Sequence, residues 1–245
     1  MFAVKRSGSS LSELARQVRD VPERIIPYAA STALTRMARE SQQAVIKRMP
    51  QVFDRPNAYT LNSLRIVPST VQTLTAQVAV KDFASGNGTR PEDYLYPSVF
   101  GGPRREKRFE RALRYNGIIT SRERAVLGQA APLDVHGNLA RGEIQKILTA
   151  VRGTITGYQN RSGSSRSRRN ARKAPYFAGR IGAGRGLWGI WRREGRRARP
   201  VMIFTERQPN YRRRLDFEGI VRETVEAGFP AAFTEAAVAI AARRR

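Results

Sequence analysis

The chain contains no cysteine, which removes disulfides, thiolate metal sites and cysteine nucleophiles from consideration. Histidine is almost as rare: His136 stands alone among 245 residues and leaves little for a metal site. No stretch reads as the roughly 18 to 20 apolar residues that a bilayer span needs, and the first residues lack the apolar core of a secretory leader. The expectation from these absences is a protein made and used on the cytoplasmic side, with no membrane partner. Negative charge is also scarce. Only 20 Asp+Glu face 45 Lys+Arg, for a net charge of +25 and a pI near 11.6. Solubility alone does not need such an excess, so it implies a nucleic acid, an anionic membrane or an acidic protein surface as partner.

What is present is concentrated in one region. Between Thr156 and Arg214 there are 17 Lys+Arg against only Glu194 and Glu206. Residues 160–174 within it are mostly Arg, Ser, Asn and Gly, too polar to offset chain entropy by burial, and predict an Arg/Ser-rich loop that is disordered when alone in water. Guanidinium forks pair with phosphates bidentately. Arg161, Arg166, Arg168, Arg169, Arg172 and Lys173, with Arg192, Arg193, Arg196 and Arg197 further along, are therefore the candidate polyanion-binding residues, contacting a backbone without reading bases. Tyr176, Phe177, Trp188, Trp191 and Tyr211 interleave with this charge and are read as the core of a small sheet rather than as stacking platforms. A membrane surface fits less well, because no amphipathic apolar face accompanies the charge.

Hydropathy patterns outline the rest. Ser10 and Glu13 have capping-box spacing and predict a short helix through Val18. Asp20, Pro22 and Glu23 open a longer one, whose apolar face includes Ile26, Ala30, Ala33, Leu34, Met37, Ala38, Ala44 and Val45, ending before Pro50; Pro27 should kink it or mark its true start. Leu64 and Ile66, then Leu74, Ala76, Val78 and Val80, alternate with polar residues as a hairpin does. The run Tyr94 to Gly102 is too short and irregular for a helix by the same reading. Its Tyr94, Tyr96, Val99 and Phe100 form either an apolar interface arm or a buried loop over the hairpin. Helices are expected from Arg104 to Tyr115, with Gly117 as the stop, and from Asn138, with Ile144, Ile147, Leu148 and Val151 on one face. Two or three short strands follow in 176–204, joined by a turn from Arg192 to Arg199. Asp216 caps a helix through Val225, and a second begins after Gly228 and Pro230. These elements predict an α+β fold: an antiparallel sheet flanked by long N- and C-terminal helices, with an Arg/Ser-rich loop. The organisation expected is 1–156, the basic loop 157–175, and 176–245 packed with the first part.

Catalytic signals are weak. Gly184, Gly186 and Gly189 fit G-x-G-x-x-G in form only, because strand-like Ile190 and Trp191 follow where a helix should start. His136 sits in an Asp-x-His-Gly-Asn sequence that reads as a turn and cap. Ser162, Ser164 and Ser165 have no base nearby in sequence, and Asp82, Glu92 and Asp93 read as a solvated acidic loop. No catalytic residue, cofactor or metal is expected.

The helix running Ile26, Pro27, Tyr28, Ala29, Ala30, Ser31, Thr32, Ala33, Leu34, Thr35, Arg36, Met37, Ala38, the Arg-rich middle, and the strand Val201 to Phe204 ahead of a helical tail ending in arginines together resemble the minor tail protein Z group of long-tailed phages. The block from Tyr94 to Leu113 looks like one in larger prophage-encoded virion proteins and is compatible with a head-to-tail connector of a short-tailed phage. The resemblance implies a structural virion protein, assembled in the host cytoplasm, that completes the tail as a ring of copies around the DNA channel. It implies no catalytic residues, and as partners other copies of itself, portal, adaptor, tail-terminator or tail-tube proteins, and the packaged DNA backbone. The competing class is a free, sequence-independent nucleic-acid-binding protein.

Overall fold

The computed structural model describes residues 2–4, 23–84, 88–151, 175–182 and 186–243. In chain order its elements are β1 (Phe2–Val4), a 3-10 turn (Glu23–Ile25), α1 (Ile26–Val52), α2 (Ala58–Leu61), β2 (Leu64–Val67), β3 (Ala76–Val80), α3 (Pro91–Phe100), β4 (Gly102–Pro103), α4 (Arg108–Tyr115), β5 (Arg124–Leu127), α5 (Arg141–Ala150), β6 (Tyr176–Ile181), β7 (Leu187–Glu194), β8 (Arg197–Thr205), β9 (Asn210–Tyr211) and α6 (Phe217–Arg243). Every strand pairing is antiparallel, and the fold is α+β. The chain forms two compact units, one of Met1–Gly101 with Arg212–Arg245 and one of Gly102–Tyr211. Packing sets these boundaries, whereas the composition break near 157 lies inside the second unit. The expected Ser10–Val18 helix and the 157–174 part of the basic loop lie outside the described residues.

In the first unit a three-stranded sheet, ordered β1-β3-β2, supports the two long helices. The β2–β3 pairing sets Leu64 opposite Val80 and Ile66 opposite Val78, the alternation expected of that hairpin. The core joins Ala30, Leu34, Met37 and Val45 of α1 to Val225, Phe229, Phe233 and Ala237 of α6, over Leu64, Ala76 and Val78. Pro27 falls in the first turn of α1, where a backbone N–H has no intrahelical acceptor, so it marks a true start. At the other end the helix does not stop before Pro50 but runs through it to Val52, because a proline in the last turn removes one hydrogen bond and little else.

Three further expectations are corrected in this unit. The Tyr94–Gly102 run is a helix for most of its length, α3, with Pro91 in its first turn, Glu92 and Asp93 favourably placed at its N-terminus, and Gly101 as the stop at φ 79°. Leu95 and Val99, four residues apart, bury one face of it and outweigh the break that Pro97 suggests. The C-terminal region is likewise one helix, α6, and not two. It passes through Gly228 and Pro230 because Phe229 and Phe233, buried while the proline is exposed, each contribute about 1.5–3 kcal/mol, against a proline cost of about 3 kcal/mol. Contrary to the expectation of no such stretch, α6 is long and apolar enough by length and composition to cross a membrane, with a mean hydropathy of 1.3 in an 18-residue window. Its Phe229, Phe233 and Ala237 face is buried in the core shared with α1.

The second unit is built on a four-stranded sheet ordered β5-β8-β7-β6. Ala112 and Leu113 of α4 and Ile147 and Leu148 of α5 cluster with Tyr176, Ile190, Met202 and Phe204 of the sheet. The short strands β4 and β9 pair where the chain enters and leaves this unit. That pairing holds Gly102 and Pro103 extended, so α4 starts at Arg108 and not at Arg104, while Gly117 at φ 69° ends that turn as expected. α5 starts three residues after Asn138, with Ile147 and Leu148 inward. The edge strand β5 had no signal in the sequence: Arg124, Ala125, Val126 and Leu127 are too few to show a period, and pairing with β8 defines them.

Candidate polyanion interface

The sequence places a turn from Arg192 to Arg199, but these residues are mostly strand. β7 and β8 pair Arg192 with Arg199, Arg193 with Ala198 and Glu194 with Arg197, leaving only Gly195 and Arg196 as the loop. Gly195 has φ 59°, the left-handed conformation that a Gly-first two-residue hairpin loop needs at that position. Neighbouring strands stop short of this end. On one edge β6 pairs with β7 as far as Arg192, with one more bond from Arg193 N–H to Pro175 O at 2.7 Å. On the other, Gly128 and Ala130 donate to Val201 O and Pro200 O, each at 2.9 Å. Beyond those contacts no described strand flanks the hairpin, and it continues as a two-stranded ribbon.

The side-chain alternation of a strand sorts the ribbon's charge. Arg192, Glu194, Arg197 and Arg199 share one face, and Arg193 and Ala198 share the other. Arg192 and Arg199 are directly opposed like charges, which repel. Glu194 bridges them, its Oε1 accepting from Arg192 Nε at 2.9 Å and its Oε2 facing Arg199 Nε at 2.9 Å. Arg192 also reaches Glu194 through Nη2, and this hydrogen bond pushes the guanidinium further above its ordinary value. Arg193 lies over the Phe177 ring, 4.7 Å from its centroid, a cation–π arrangement that fixes its direction. Arg196 and Arg197 are exposed at the tip with no acidic partner among the described residues. From 192 to 199 the sequence holds five arginines and one carboxylate, which pairs with Arg192 and Arg199, and no side chain there is more apolar than Ala198.

The structure thus brings Arg192, Arg193, Arg196 and Arg197 together, while Arg161, Arg166, Arg168, Arg169, Arg172 and Lys173 lie outside the described residues. Arg199 belongs to the same group and was missed. Its signal was Gly195: a two-residue turn there pairs 192 with 199. Trp188 and Trp191, read as sheet core, are half-buried and buried, with Trp191 Nε1 donating to Gly179 O at 2.9 Å. Tyr176 is buried beside them, Phe177 half-buried and Tyr211 exposed.

The four expected interface residues divide by helical spacing and do not share one face. Val99 is in the core and Tyr94 is half-buried, its hydroxyl 3.4 Å from Thr60 Oγ1 and pushed up by burial. Tyr96 and Phe100 point outward with ring centroids 5.0 Å apart. With Arg65, Asp82, Glu92 and their neighbours they line a cleft of about 210 Å³.

Ser162, Ser164, Ser165 and Gly184 lie outside the described residues; among those described, Glu143 and Asp134 hydrogen-bond within the fold. Glu143 accepts from Lys146 Nζ and from the Tyr176 hydroxyl, both at 2.6 Å, and these bonds, Lys146 first, hold its carboxyl below the usual range. Asp134 Oδ1 accepts from the backbone N–H groups of His136 and Asn138, each at 2.9 Å, a turn as read, though the helix cap falls later, at Ala140. Gly189 of the glycine pattern lies inside β7, where an added Cβ would stand 2.2 Å from Met202 O, so the residue serves strand packing. Among the described residues no three His, Asp or Glu side chains are grouped to hold a metal ion. Compared with protein-family models, curated proteins and solved structures, the chain gives no match.

Proposed function

We propose that the chain is a structural component of a tailed-bacteriophage virion at the head-tail junction, a tail-completion or neck protein that forms a ring around the DNA channel and engages a polyanion through the β7–β8 ribbon. The observation that carries the polyanion role is the ribbon itself: five arginines and one glutamate on a projecting hairpin with no apolar anchor. Phosphate contacts need donors and charge, which guanidinium forks supply bidentately. The phage setting rests on the resemblance of residues 26–38, of the arginine-rich middle and of the strand-then-helix order at the C-terminal end. The half-buried Tyr96 and exposed Phe100 of α3 and the two long helices supply a body for packing between copies.

Particle composition tests this reading. In particles purified from an induced lysate, mass measurement and imaging should find the chain at a fixed copy number per virion, in a ring at the neck. A chain that is absent from particles and binds DNA as a soluble monomer or dimer would overturn the virion role in favour of a free nucleic-acid-binding protein.

A further inference from the structure

We propose that the anion held by the β7–β8 ribbon is duplex DNA, and that the ribbon end, residues 192–199, enters the major groove and contacts phosphates on both of its walls. This rests on the polyanion reading of the same ribbon and narrows it to one partner.

Three observations favour a duplex groove over an acidic protein surface. The first is that the charge is two-sided: Arg192, Arg197 and Arg199 lie on one face, Arg193 on the other, and Arg196 at the tip. A flat acidic surface meets one face of a hairpin, whereas a groove presents phosphates to both. The second is shape. The major groove is about 12 Å wide and admits a two-stranded ribbon, while the minor groove, at about 6 Å, is too narrow for one carrying arginines on each face. The ribbon is free of flanking described strands beyond Arg193 on one edge and Pro200 on the other, so both edges of its end are open to a groove, and Arg193, Arg196, Arg197 and Arg199 are exposed around it. The third is preorganisation. Glu194 holds Arg192 and Arg199 side by side, and Phe177 holds Arg193, so three of the five guanidiniums are positioned before binding and lose less side-chain freedom on contact. Contacts made by these arginines to the phosphates of both walls carry no base information, and binding through them is expected to be independent of sequence.

The test uses the full chain and a labelled duplex of random sequence, with a single strand of the same length, heparin and poly-glutamate as alternatives. The duplex should bind tightest, and methyl green, which occupies the major groove, should displace the protein while the minor-groove ligand netropsin should not. The double variant Arg196→Ala, Arg197→Ala, which alters only exposed tip residues, should weaken duplex binding about tenfold at moderate salt and reduce the slope of log affinity against log salt by about 2, near 0.9 per lost phosphate contact. A charge-matched control, Arg39→Ala with Lys47→Ala on the exposed side of α1, should change affinity less than twofold. Equal binding of duplex, single strand, heparin and poly-glutamate, or indifference to methyl green, would overturn groove insertion while leaving the polyanion reading intact. Tightest binding to poly-glutamate would assign the ribbon to an acidic protein. Failure to bind any of the four would overturn both.

Discussion

Glu110 is the residue on which the second unit most depends. Its side chain is fully buried, yet every lone-pair direction is used: Oε1 accepts from Arg104 Nη2 at 2.5 Å and Ala125 N at 2.9 Å, and Oε2 from Arg104 Nη1 at 2.8 Å and Lys107 N at 2.7 Å. One carboxylate thereby ties the segment after β4, the first turn of α4 and the edge strand β5 together. Removing the carboxylate leaves a nearly buried guanidinium without its counter-ion, with the backbone oxygens of Arg105 and Ala125 as remaining acceptors, and two backbone N–H groups without their carboxylate acceptor; removal of one partner of such a pair typically costs about 3–5 kcal/mol. Glu110→Gln should fall near the lower end of that range in chemical denaturation and Glu110→Ala near the upper. Burial pushes the carboxyl up, but Arg104 and the N–H groups of Lys107 and Ala125 outweigh it and hold the group below its ordinary value. A depressed carboxyl stabilises the folded state in full above the unfolded value of about 4.3 and loses that contribution as pH falls through the lower folded value. The stability gap between wild type and Glu110→Gln should therefore narrow as pH drops from about 5 toward 2. A gap independent of pH in that window would show that the ionised form of Glu110 is not the source of the difference.

At the scale of elements, α6 shows how tertiary burial overrides local signals. Pro230 has no N–H for the preceding turn, and its exposed position gives it nothing in return. Phe229, Ala232, Phe233, Ala236 and Ala237 keep the helix continuous by their burial on both sides of the proline in sequence. Pro230→Ala should then restore a hydrogen bond at a site with no packing to lose and stabilise the first unit by about 1–3 kcal/mol, read as a higher denaturation midpoint with an unchanged slope. A loss of stability would mean that the proline bends α6 into its fit with α1. The same competition explains what the sequence could and could not reveal. The β2–β3 hairpin and the buried face of α1 were legible because their periods of 2 and 3.6 run for several residues without a breaker. α3, the continuity of α6 and the end of α1 were hidden because Pro97, Pro230 and Pro50 are breakers only when nothing else holds the helix. The ribbon was half-legible: arginine density marked the place, but the register that opposes Arg192 to Arg199 depends on a turn of two residues, and charged strands carry no hydropathy signal. The insertion of one unit within the other was not legible at all, since β4 and β9 are two residues each and meet only through pairing.

For the whole molecule the governing quantity is unevenly shared charge. The unit Gly102–Tyr211 carries 25 Lys+Arg and 7 Asp+Glu, while Met1–Gly101 with Arg212–Arg245 carries 20 and 13. In the second unit 7 carboxylates cannot neutralise 25 cations, whatever the conformation, and the mutual repulsion of the excess opposes the compact state. Close, buried pairs such as Arg104–Glu110 are screened little by salt, whereas repulsion among exposed cations is spread over tens of ångströms and is screened strongly. The two contributions thus respond differently to ionic strength, and their balance can be measured. Between about 0.01 and 0.15 M sodium chloride the screening length shrinks from about 30 to about 8 Å. Thermal denaturation of the full chain should move to higher temperature over that range if diffuse repulsion dominates, as the charge counts require. A short duplex added at low salt should raise the midpoint further, because a ligand bound only by the folded ribbon stabilises it in proportion to the logarithm of its saturation. That second increment should vanish in Arg196→Ala, Arg197→Ala while the effect of salt persists, since the variant removes only two of the 25 cations. A midpoint that falls as salt rises would mean instead that attractive pairs outweigh the excess charge, and the ribbon's arginines would then be neutralised within the folded chain and not by a partner.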